Sequence, residues 1–187
     1  MPGYKNSIPA VFSKKVGNRK VKKETLTLAL CIALFPPIWA VATPYIHVNT
    51  GAVALICAGL YVTNGNKYQD GVKISLGFLL GDLWSYIAMV VMAKWNGNKD
   101  IILFVTLFVL GGLAVILSSF LPKWIHCPSW LCGWAIGLTI LTPMGYDHIG
   151  TYPVQIGISM LVGVWYVGAM LDAIQKKMSG VQEERKE

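Results

Sequence analysis

"LGFLLGDLWSYIAMVV", residues 76–91, is almost entirely apolar, lacks proline, and carries one carboxylate, Asp82, near its middle. About 20 apolar residues suffice to cross a bilayer. The apolar pattern around this stretch extends over 71–93, and runs of the same kind lie on both sides of it. Six helices are expected, at 25–46, 49–64, 71–93, 101–121, 129–146 and 153–173. The second is short and tightly joined through His47 and Asn49, so an angled or half-crossing helix is expected there. Charged or turn-forming segments separate the others: "NGNKYQDG", "KWNGNKD", "LPKWIHCPS" and "GYDHIGTYP".

Composition agrees. The chain is 55% hydrophobic and 13% charged, whereas a soluble domain is about one-quarter charged. The net charge of +7 sits mostly in the tails and reads as membrane topology, not nucleic-acid binding. Basic residues favour the cytosolic side. With the N-terminus inside, Lys5, Lys14, Lys15, Arg19, Lys20, Lys22, Lys23, Lys67, Lys73, Lys123, Lys176, Lys177, Arg185 and Lys186 all face the cytosol. Lys94 and Lys99 alone face out. An odd number of spans would move the C-terminal tail outside and break this pattern. The expected fold is therefore an all-α polytopic membrane protein, a six-transmembrane-helix bundle with both termini cytosolic. Its parts are a basic tail (1–24), the helical domain (25–173) and a charged tail (174–187). "LTLALCIALF" followed by "AVA" at 40–42 imitates a secretory signal, but Pro36-Pro37 interrupts it, and an uncleaved first helix is the reading preferred.

An acid at the depth of Asp82 costs roughly 3 kcal/mol on insertion scales when charged. No intramembrane Lys or Arg is available to pair with it, so it is either protonated at rest or waiting for a cation. Ser75, Asp82, Ser85 and Tyr86 share one helical stripe, while Gly77 and Gly81 form a GxxxG on a neighbouring face where a second backbone can approach. Gln155, Ser159 and Tyr166 form a similar stripe on the sixth helix. The two stripes either line a common cavity or hydrogen-bond across helix interfaces.

Trp95, Trp124 and Trp130 suit the interfacial belts. Trp39, Trp84, Trp134 and Trp165 fall deeper, as a cage for an organic cation or as filling between glycine-rich helices. Pro36-Pro37, Thr43-Pro44 and Thr142-Pro143 break helices, a mark of binding sites in transporters. His47, Asp147 and His148 follow two of these breaks and are expected either at an outer mouth or in solvated loops. The two Thr-Pro segments hint at a parallel internal similarity. His126, Cys127 and Cys132 lack metal-site spacing, and no metal or cofactor is expected. There is no P-loop, GxSxG or HExxH, so an enzyme is not expected.

"PPIWAVATPYIHVNTGAVALICAGLYVTNG", "GVKISLGFLLGDLWSYIAMVV" and "LVGVWYVGAM" together resemble the DUF1097 family of small bacterial inner-membrane proteins. The shared pattern is a Trp-containing first helix, a small-residue second helix and L-x-G-x-x-W in the third. The resemblance implies fold and a location in the bacterial cytoplasmic membrane. Asp82 stands where the family pattern suggests an apolar residue, so no family role passes to it. The expected function is a channel or permease for a small polar or cationic solute, amine or urea-like, as a homo-oligomer (dimer or trimer). The alternative is a non-transporting scaffold or accessory subunit that binds a partner through its glycine faces.

Overall fold

The computed structural model describes residues 23–65, 68–170 and 173–174, with the backbone alone for 23–32. The expected tails fall almost wholly outside these residues. Six α-helices follow one another, and there is no strand among the described residues: α1 (Lys23–Ala42), α2 (Val53–Thr63), α3 (Gly71–Lys94), α4 (Lys99–Phe120), α5 (Cys127–Leu141) and α6 (Tyr152–Val162). A π-helix, Gly163–Ala169, continues α6 directly. Three stretches are long and apolar enough to cross a membrane: Tyr68–Lys94, Lys99–Phe120 and Tyr152–Ala169. The 11 residues of α2 rise only about 16 Å, half of a hydrocarbon core of about 30 Å.

The helix ends follow local chemistry. Asn98 caps α4, its side-chain oxygen accepting from Asp100 N–H at 2.9 Å and Ile101 N–H at 3.4 Å, which satisfies two of the donors a helix start leaves free. His126 caps α5: Nδ1 accepts from the Ser129 N–H at 3.3 Å. Both Thr-Pro segments become short 3-10 turns, Thr43–Ile46 and Thr142–Met144, at the ends of α1 and α5. After the first, His47 takes a left-handed conformation, φ 57°, and lets the chain reverse toward α2. Pro36 and Pro37 stay inside α1 and leave the carbonyls four residues earlier without their helical donors.

α3 and α5 form the centre of the bundle, and glycine is the reason. A Cβ at Gly77 would strike the Ser129 hydroxyl, and one at Gly81 would strike the Trp130 carbonyl. In return, a Cβ at Gly133 would lie 2.5 Å from the Phe78 carbonyl, and one at Gly137 would strike the Ser85 hydroxyl. Two GxxxG faces thus mesh backbone to backbone. The second backbone that the Gly77/Gly81 face was expected to admit is that of α5 in the same chain, so this face is not open to another copy.

A second close approach joins α2 to the π-helix. A Cβ at Gly163 would lie 2.8 Å from Cys57 Cβ, and one at Gly168 would lie 2.7 Å from a Tyr61 ring carbon. A π-helix closes i→i+5 bonds, so residues five apart share a face, and both glycines meet α2. The main core lies between these pairs, with Ile74 and Phe78 of α3 and Ile156 and Met160 of α6 fully buried. α4 sits at the edge. Trp84 Nε1 donates to the Leu110 carbonyl at 2.9 Å, while Phe104, Phe108 and Phe120 of α4 stand exposed.

Candidate functional site

Asp82 is the twelfth of the 24 residues of α3, so it sits midway along the helix. Its side chain points between α5 and α6, where two glycines leave it room. A Cβ at Gly137 would lie 3.4 Å from Oδ1, and one at Gly157 would lie 3.7 Å from Oδ2. Asp82 is only 7% exposed. Oδ1 is fully buried and has no hydrogen-bond partner, an arrangement costly enough that most buried polar atoms avoid it.

The group lines a groove of about 550 Å³. Leu79, Leu83 and Tyr86 of α3 form one wall, and Val154, Gly157, Ile158 and Leu161 of α6 form the other. The groove opens on the outer surface of the bundle, where Leu83 is 51% and Val154 64% exposed. The Tyr86 phenol lies beside that of Tyr146, in the turn that follows α5. A carboxylate at the floor of an apolar groove can hold a proton or form an ion pair with a cation. It cannot by itself satisfy a neutral polar solute, which needs several placed donors and acceptors.

The other polar residues singled out in the sequence are engaged elsewhere. Ser75 accepts from Trp165 Nε1 at 2.9 Å. Ser85 donates to the Asp82 backbone carbonyl at 2.6 Å and packs on Gly137. Gln155 accepts from the Asn49 N–H at 3.0 Å, and the Ser159 hydroxyl meets that of Thr50 at 3.0 Å. These bonds tie the loop before α2 to α6. Tyr166 packs edge-on against Phe35, centroids 6.0 Å apart. Of the two expected stripes, only Asp82 and Tyr86 line the groove.

The deep tryptophans are dispersed in the same way. Trp84 stacks edge-to-face on Trp130 at 5.2 Å, and the Trp134 ring faces Gly111 of α4. All three fill the α3/α4/α5 junction. Trp39 lines a separate cleft of about 400 Å³ with Pro36, Pro37 and Leu55. None of the rings lines the groove at Asp82, so a tryptophan cage around the carboxylate is not what the packing assembles. His47, Asp147 and His148 are exposed in two separate loops. A hollow of about 580 Å³ at the C-terminal end of α3 is lined by Met89, Trp95, Lys99, Thr142 and Tyr146 instead. Among the described residues, no three His, Cys, Asp or Glu side chains are grouped to hold a metal ion.

Gly137 and Gly157 make the site and were not singled out in the sequence. Gly137 had a visible signal, the GxxxG of "GWAIG" at 133–137. Gly157 had none, because an isolated glycine in an apolar run does not say which neighbour it faces.

No curated protein and no solved structure matches the chain. The profile of one family does match, over residues 29–176, nearly all of the helical domain. The chain therefore belongs to the family described as "Protein of unknown function (DUF1097)".

Proposed function

We propose that this protein is a multi-pass permease or channel of the bacterial cytoplasmic membrane that moves a small cationic solute, with Asp82 as the group that binds it. One observation carries the reading: an acid at mid-helix, nine-tenths buried, whose Oδ1 has no partner, at the floor of an accessible groove. An intramembrane carboxylate without a basic partner is retained at a cost, and a moving cation or proton gives it a use. The scaffold alternative relied on free glycine faces. Those of α3, α5 and the π-helix are occupied within the chain, so a dimer or trimer would meet through the exposed face of α4 instead.

The test is uptake into liposomes of methylammonium and of protons, for the full chain and for Asp82→Asn. Asn keeps the shape of the side chain and removes its charge. Flux should fall to the level of empty liposomes, with the melting temperature kept or raised. Undiminished flux in Asp82→Asn would overturn the proposal and leave Asp82 a structural residue.

A further inference from the structure

The walls of the groove say more about the solute than its floor does. They consist of Leu79 and Leu83 on one side and Val154, Ile158 and Leu161 on the other. Leu79, Leu83, Val154 and Ile158 are each more than one-third exposed, and each lies within about one helical turn of Asp82 or of Gly157 beside it, on stretches that are long enough to cross a membrane. On the permease reading, this side of the groove faces acyl chains, while its end at Gly150 reaches the loop before α6. An inorganic cation gives up its hydration shell only for a full set of oxygen ligands. The side chains here supply one carboxylate and the Tyr86 phenol. A urea-like solute fares no better, since the apolar walls offer it no donors.

We infer that the ligand of this groove is an amphiphilic organic cation, an alkyl or aryl amine or a quaternary ammonium or phosphonium, that enters sideways from the bilayer and pairs with Asp82. The inference rests on the permease reading and narrows its solute class. Three features fit such a ligand. The volume, about 550 Å³, falls in the range of sites for drug-sized molecules, about 300–1,000 Å³. The charge is complementary: an unpaired carboxylate meets a cation in a low-dielectric setting, where attraction is strongest. The Tyr86 ring lines the same groove and attracts a cation through its face. Gly157 keeps the floor open, because a side chain there would fill the space in front of Oδ2.

The experiment measures binding of tetraphenylphosphonium to the full chain in lipid nanodiscs, with methylammonium and dodecyltrimethylammonium as competitors. The phosphonium should bind, and dodecyltrimethylammonium should displace it at a far lower concentration than methylammonium does. Asp82→Asn should weaken binding about a hundredfold, as expected when one partner of a buried ion pair is removed. Ile158→Trp, at an exposed position on the rim, should weaken binding and leave the melting temperature unchanged. Asp82-dependent methylammonium flux with no phosphonium binding would overturn the amphiphile inference and leave the permease reading standing. Asp82-dependent phosphonium binding without flux of any cation would support the inference and overturn transport. Efficient disulfide crosslinking between two copies through Val154→Cys, with no phosphonium binding, would also overturn it, by making the groove a contact between subunits.

Discussion

At the scale of single residues, many polar groups inside the bundle are paired, and Asp82 differs from the buried groups that are not, Trp39, Thr106, Trp130 and Trp134, in being an acid. Ser75, Gln155 and Ser159 each meet a partner on another element. Their stripes were legible in the sequence, because helical spacing gives the shared face. The neighbour on that face was not legible, since it depends on how helices distant in sequence pack. The same limit applies to the tryptophans, whose depth was readable and whose company was not. Glycine gives a sharp test at this scale. Gly81 touches the Trp130 and Trp134 backbones, whereas a Cβ at Gly59 meets nothing within 4 Å. Gly81→Ala should therefore destabilise the protein by about 1–3 kcal/mol, the usual cost of overpacking. Gly59→Ala, inside α2, should stabilise it by about 0.5–1 kcal/mol through helix propensity. Thermal melting in one detergent ranks the two, and equal shifts would contradict the meshing of α3 with α5.

At the scale of elements, the sequence located all six helices because each is an apolar run between charged or turn-forming segments, α2 the short one among them. The ends shifted where capping and 3-10 turns decide them: α5 starts at Cys127, after the His126 cap, and gives way to a 3-10 turn at Thr142. The π-helix was not read, since no residue type marks an i→i+5 turn. The cap on α5 carries a pH dependence. His126 lies in the connection outside the helices, and burial first, then the Lys73 ammonium, holds its pKa below the usual 6.5, against a smaller opposing effect of Asp70. Its Nδ1 accepts a hydrogen bond and so must be unprotonated. The folded state favours the neutral form. This stabilisation is complete above about pH 6.5 and is lost as pH falls through the lowered folded value. Loss of an N-cap costs on the order of 1 kcal/mol, so the melting temperature should be lower at pH 5 than at pH 7.5. His126→Asn keeps a cap that does not titrate and should narrow that difference. A pH profile unaltered by the substitution would contradict the assignment.

For the whole molecule, orientation is where sequence speaks and the helices themselves do not. Basic residues divide fourteen to two between the proposed sides, a bias that fixes topology during insertion. A cysteine placed in either tail of a cysteine-free variant should resist an impermeant thiol reagent in intact cells and react after lysis. A cysteine beside Asn96, between α3 and α4, should react from outside. Labelling of a tail in intact cells would reject the proposed topology. The overall class was legible because composition and hydropathy describe the solvent around the chain. The groove was not, because it arises only when α6, through Gly157, is brought opposite one acid of α3.

The glycine contacts between α3 and α5 also work as gear teeth. Gly77 and Gly81 repeat every four residues, as do Gly133 and Gly137, which sets a pitch of about 6 Å along the axes. A slip of one residue, about 1.5 Å, would drive a side chain into the facing backbone, so the two helices cannot creep past each other in small steps. The pair is a locked strut with Asp82 mounted on it, and any stroke the molecule makes belongs to the helices around it.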